Sequence, residues 1–400
     1  LTFGLGGAAA VLFLILAVTG SLLLVVYEPS PERAHGAVVR LVDEVPFGAL
    51  VRNVHHWAAN GMVLVTLLHL LRVFYRGGHL PPRRANWFAG VALLLLVVAC
   101  AFTGYLLPWD QLAFWAVTIG TGMLEYAPVV GGVLLRAARG GADVGPGTLA
   151  RFFVLHVAIL PIGMLLLLAF HFWLVRKVGG VILPSGAGDR ASPRGELVPT
   201  SPNLTQREAA MAIGVLAAVL LAAALWDAPL LAQANPGMSP NPAKAPWYFM
   251  GVQELLVHIH PAFGAVVVPL IGLVLLLLLP ALGGREPPTG CWFGSSRGAR
   301  HALVAAAVAA IGTAGAVVAN EPLRRAPPWL PGIPPAVRSG LLPLAAMAIL
   351  LLGAAWLSRR RGATRIESVQ TAVSFALASF GVLTLMGVFL RGQGMALVLP

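Results

Sequence analysis

The chain has 400 residues, 58% of them hydrophobic and only 10% charged, with a mean hydropathy of +0.84. No water-soluble core of this length has such a composition, so the sequence reads as an all-α, polytopic transmembrane bundle. The formal net charge of +12 could suggest a nucleic-acid binder, but the basic residues sort by loop and exclude that reading.

Runs of about 20 apolar residues predict nine membrane helices, near 5–26, 54–74, 87–107, 151–175, 209–226, 263–282, 301–319, 341–357 and 371–390. The first carries Gly6 and Gly20, 14 residues apart. The second carries His55 and His69, also 14 apart. At 100° per residue that spacing stops about 40° short of four turns, so both rings share one face, about 21 Å apart along it. His56 falls well off that face and reads as a polar residue at the helix mouth. Arg52 precedes His55 by three residues and Arg72 follows His69 by three, each one turn from a histidine. The third helix repeats the glycine spacing with Gly90 and Gly104. Segment 112–140 is amphipathic and broken by Gly and Pro, so it predicts surface helices.

The fourth helix carries His156 and His171, 15 apart, which overshoots four turns by about 60°. Histidine inside an apolar span is costly and by default functional. Two facing helices that each carry such a pair present two opposed couples at two depths, the arrangement required to ligate two non-covalent b-type haems through paired imidazoles. The four glycines share the ligand period, and glycine lets a flat macrocycle approach the backbone. The bland alternatives are polar residues lining a transport path for the histidines, interfacial anchoring for the arginines and ordinary helix packing for the glycines.

Four blocks follow: a four-helix dihaem core over 1–180, a Pro- and Gly-rich linker over 181–206, a two-helix region with a long loop over 207–283, and an extension of three spans over 284–400. The segment 320–400 carries no chemistry that can be assigned. A cytoplasmic N-terminus places 16 of the 27 Lys and Arg, but only 5 of the 15 acids, in cytoplasmic loops, the bias expected of positive-inside topology. Of the two cysteines, Cys100 lies in a span and Cys291 in a loop, so no disulfide is expected, and no haem-attachment motif exists. No cleavable leader is read at the start of the chain.

Several stretches resemble cytochrome b, in particular its plastid and cyanobacterial type: LGG followed by TG between Leu5 and Gly20, then RNVHHW, LHLLR, GYLLPWDQLAFWA, TLARFFVLH and HFWLVRKVG. The resemblance implies the core of a quinol:electron-acceptor oxidoreductase in a bacterial inner membrane, coupled to proton translocation. It also implies a Rieske iron–sulfur protein and a c-type cytochrome as partners, with a homodimer within the complex. By the family's pairing, His55 and His156 would hold the outer haem and His69 and His171 the inner one, with Arg52 and Arg72 as propionate partners. Quinol, the substrate, would meet Tyr105, Trp109, Gly120, Trp247 and Tyr248, and electrons would cross to a quinone-reducing site near the cytoplasmic face.

This chain departs from that pattern in three ways. Ala245-Pro246-Trp247-Tyr248 lacks the glutamate of the family's Pro-Glu-Trp-Tyr; Glu254 is the expected substitute, able to take a proton and turn toward water, with His258 and His260 behind it. Gly4 stands where the plastid type has a haem-tethering cysteine, so no covalent third haem is expected. The chain also joins what the plastid type divides between two polypeptides and then continues. Two other readings remain: a dihaem anchor serving a partner without a Rieske centre, and a haem-free transporter.

Overall fold

A computed structural model describes residues 4–180, 182, 199–283, 289–324 and 330–398. The described residues form helices and no strand. In chain order these are α1 (Leu5–Leu24), α2 (Ala34–Asp43), α3 (Gly48–Tyr75), α4 (Arg84–Leu106), α5 (Gln111–Gly122), α6 (Gly131–Arg139), α7 (Pro146–Val154), α8 (Leu160–Lys177) and α9 (Thr200–Leu225). They are followed by α10 (Trp247–His258), α11 (Val268–Leu282), α12 (Ser296–Leu323), α13 (Leu342–Arg360) and α14 (Arg365–Phe389). Nine rods among the described residues are long and apolar enough to cross a bilayer, and they coincide with the nine runs in the sequence. Many of their apolar side chains face outward, such as Leu14, Ile349 and Leu352 at 63%, 69% and 71% exposure, as suits helices whose solvent is lipid.

Three of these rods contain a π-turn: Leu155–Ile159 joins α7 to α8, Phe263–Val267 leads into α11, and Val337–Leu341 leads into α13. Each turn ends two residues before a proline, namely Pro161, Pro269 and Pro343. Proline has no N–H to donate, and its ring pushes away the carbonyl four residues back. A widened turn just upstream accommodates both effects.

The chain divides into two compact units. The first comprises Leu1–Phe74, Ala85–Phe114 and Val144–Ala234; the second comprises Tyr75–Arg84, Trp115–Asp143 and Asn235–Pro400. In the first unit, Leu12 of α1 meets Gly61 of α3, Leu96 of α4 meets Gly163 of α8, and Met211 of α9 lies on Gly7 of α1. Helix α9 thus belongs with the N-terminal helices, although the sequence grouped it with the region that follows. Residues 200–206, read as the end of the linker, are the first turns of α9; residues 183–198 of that linker lie outside the described residues. In the second unit, α14 runs through the packing: Thr313 of α12 hydrogen-bonds Ser379 at 3.0 Å, and Gly251 of α10 makes room for Phe380 and Thr384.

Candidate functional site

His55 of α3 and His156, in the π-turn between α7 and α8, face each other with ring centres 6.2 Å apart and planes inclined by 72°. A ring nitrogen binds a first-row metal at about 2 Å and the ring centre lies about 1 Å behind it, so two imidazoles sharing one ion have centres about 6 Å apart. The far nitrogens are already engaged. Thr19 Oγ1 lies 2.9 Å from His55 Nδ1, and His156 Nδ1 lies 2.9 Å from the Cys100 carbonyl oxygen, to which it donates. This leaves Nε2 as the atom of His156 that could bind a metal.

His69 and His171 form the second pair, in the same two rods and close enough to interact electrostatically. The Nδ1 of His69 is buried and outside normal hydrogen-bond geometry, whereas His171 interacts with the backbone of Asn86.

Each of the four glycines faces one histidine ring. A Cβ on Gly6 would stand 3.2 Å from His69 Cε1, one on Gly20 3.3 Å from His55 Cε1, and one on Gly90 3.4 Å from His171 Cε1. A Cβ on Gly104 would collide with the His156 ring. The glycines therefore make room for the imidazoles themselves.

The spacing of 15 in the fourth rod also finds its reason here. The π-turn takes up one residue more than an α-turn, so His156 and His171 keep the register of 14 α-helical residues, about 40° short of four turns. That matches the register of His55 and His69 and brings the overshoot of about 60° read from the sequence into line with it. Among the described residues no group of three or more His, Cys, Asp or Glu could hold a metal ion; what the two rods bring together is histidines in pairs.

The arginines divide. Arg72 lies near enough to His69 to act on it electrostatically. Arg52 donates to the carbonyls of Ala228 and Pro229, both at 2.7 Å, so its guanidinium is committed to the loop after α9. Asn53 beside it bonds the Asp227 carboxylate at 2.8 Å and the Ala228 N–H at 2.8 Å. His56 neighbours the Asn60 amide and packs edge-on against Trp57, in keeping with a polar residue near the helix start.

The residues implied for the quinol site divide between the units. Tyr105 ends α4 half-buried and Trp109 is buried beyond it, in the first unit. Gly120 of α5, with Trp247 and Tyr248 in the first turn of α10, belong to the second. The loop leading to Trp247 is held by Gln253, whose side chain takes the Ala245 N–H at 2.7 Å and donates to the Ala243 carbonyl at 2.6 Å.

Glu254 does not fit the expectation of a carboxylate that swings toward water. It is completely buried and receives Arg391 Nη2 at 2.5 Å and Nε at 2.9 Å, with His258 Nε2 at 2.9 Å. Arg391 also donates to Glu321 at 2.7 Å, Glu321 accepts from Arg324 at 2.8 Å, and Asn320 lies 2.7 Å from His258 Nδ1. Burial alone would raise the Glu254 pKa, but His258 and Arg391 outweigh it and hold the carboxyl below its ordinary range. Two carboxylates thus face two guanidiniums in this cluster. Sequence reasoning missed this counter-ion because Arg391 lies 137 residues downstream. It missed Thr19 too, whose only trace was its place before Gly20. His260 receives the Ala262 N–H at 3.3 Å and caps the turn there.

Comparison with known proteins adds to this geometry. A family model described as Cytochrome b/b6/petB matches residues 1–179. The cytochrome b6 of Heliobacterium mobile is 46% identical over 175 residues, 44% of this chain and 82% of that protein. That of Porphyra purpurea is 43% identical over 175 residues, covering 44% and 81% respectively. A solved structure titled Hyperthermophilic respiratory Complex III aligns with a TM-score of 0.70 and 27% identity over 88% of this chain and 90% of its own. The structural likeness therefore continues well beyond residue 179.

Proposed function

This chain belongs to the cytochrome b/b6 family, a multi-pass membrane cytochrome b of quinol oxidoreductases, and we propose that it is a dihaem subunit carrying electrons between quinol and an acceptor across the membrane. The observation that carries the dihaem reading is the matched set of two histidine pairs, each ring seated against its own glycine. His55 and His156 would hold one b-type haem and His69 and His171 the other. When bound, each haem supplies an iron that takes up and gives back one electron. The protein's residues fix the depth of each iron, bury it, and set its potential through the bonds made by the ligand rings.

The wider assembly follows the family: a Rieske protein and a c-type cytochrome as partners, a homodimer, a cytoplasmic N-terminus in a bacterial inner membrane, and no covalent third haem. Tyr105, Trp247 and Tyr248 remain the residues proposed to meet quinol. Glu254 is reassigned as an anchoring carboxylate on the strength of its ion pairs. Arg52 is reassigned to holding the loop after α9, and Arg72 is kept as a propionate partner.

The test is His69→Leu, judged by the reduced-minus-oxidised visible spectrum and haem content of the purified protein. The expected result is loss of one of two b-type haems. An unchanged two-haem spectrum would reject the ligand assignment. A wild-type preparation without b-haem would reject the function.

A further inference from the structure

Thr19 stands in α1 one residue before Gly20, buried to 8% exposure, with its hydroxyl oxygen 2.9 Å from His55 Nδ1. A helix threonine often turns its hydroxyl back on the preceding turn, and here Thr19 Oγ1 also reaches the Ile15 carbonyl at 2.7 Å. That bond determines the other. A hydroxyl has one hydrogen; with that hydrogen on the Ile15 carbonyl, the oxygen can only accept from His55. The ring must then carry its proton on Nδ1 and present a bare Nε2. Thr103 offers a contrast within the same unit: it makes the same back-bond, to Ala99 at 2.9 Å, but stays 3.5 Å from His156 Nδ1.

We propose that Thr19 is a positioning residue that fixes the tautomer of His55 and lowers the reduction potential of the haem held by His55 and His156. The inference rests on the dihaem reading above. An acceptor on Nδ1–H pulls the ring toward imidazolate and makes Nε2 a stronger donor. A stronger nitrogen donor would favour ferric over ferrous iron and so lower the potential. His69 has no such bond at Nδ1, which makes the second pair an internal control in the same molecule.

The experiment is redox titration of the purified protein, wild type against Thr19→Val and Thr19→Ser, followed by visible absorbance and by the low-spin ferric resonance signals. Valine keeps the volume and removes the hydroxyl; serine keeps the hydroxyl. For Thr19→Val the expected result is a rise in one of two midpoints by a factor of about three to ten in the ferrous-to-ferric ratio. At 59 mV per decade for one electron this is about 30–60 mV. The other midpoint should stay in place, and Thr19→Ser should resemble wild type. Loss of one haem from Thr19→Val while Thr19→Ser keeps two at wild-type potentials also supports the proposal. It is overturned if Thr19→Val moves neither midpoint, if both midpoints move together, or if serine behaves as valine does. A wild-type titration that shows fewer than two b-type components overturns the dihaem reading first, independently of any Thr19 variant.

Discussion

The ring nitrogens proposed to bind haem are single atoms whose direction matters, and the glycines opposite them are the most exacting neighbours. Gly104→Ala places a methyl group inside the space of the His156 ring, and overpacking of this kind costs about 1–3 kcal/mol. The expected outcome is a protein lacking the haem of the first pair, read from haem content and the visible spectrum. Gly214→Ala, where a Cβ meets nothing within 4 Å, should leave both unchanged. The histidines were legible in the sequence because helical periodicity converts spacing directly into facing direction. The role of Arg52 was not. Its offset of three residues from His55 gives a position along the helix, but its partners, Ala228 and Pro229, come from a loop far along the chain. Thr19 escaped notice because a threonine bonded to its own helix looks the same in sequence whether or not a ring stands beside it.

At the level of elements, hydropathy sufficed to place the membrane helices, since burying about 20 apolar residues in lipid overrides local propensity. It could not place the start of α9. The polar stretch from Thr200 with Pro202 reads as linker, yet proline is tolerated in a first helical turn. Nor could it reveal the π-turn, which depends on the joint effect of Pro161 and a one-residue excess between His156 and His171. That excess makes a distinctive prediction. Deleting Ala158 together with Pro161→Ala should convert the widened turn to α-helix, keep the 14-residue register and retain both haems. Inserting one alanine after Ala158 should rotate His156 by about 100° from its partner and lose the haem of the first pair. Haem content of the two variants decides between register and mere tolerance of length changes.

At the scale of the whole molecule, the sequence divided the chain at the linker and assigned nothing to the last eighty residues. In the structure these residues complete the second unit, because Arg391 provides the positive charge for Glu254 and Glu321. Removing one partner of a buried ion pair costs about 3–5 kcal/mol, because it strands the other. Arg391→Gln or Glu254→Gln alone should lower the melting temperature of the detergent-solubilised protein sharply. The double variant should lose less than the sum of the two. The Glu254 pKa is lowered in the folded protein, so its contribution is complete above the ordinary carboxylate range and disappears as pH falls through the lowered value. Wild-type melting should therefore drop on the acid side more steeply than that of Glu254→Gln.

Arg391 also sets a timetable for biogenesis. It is translated 137 residues after the carboxylate it neutralises, an interval on the order of ten seconds at ordinary rates of synthesis. Until then the nascent protein must keep Glu254 wetted or protonated beside the bilayer, so the second unit can lock shut only when the segment carrying Arg391 has left the ribosome.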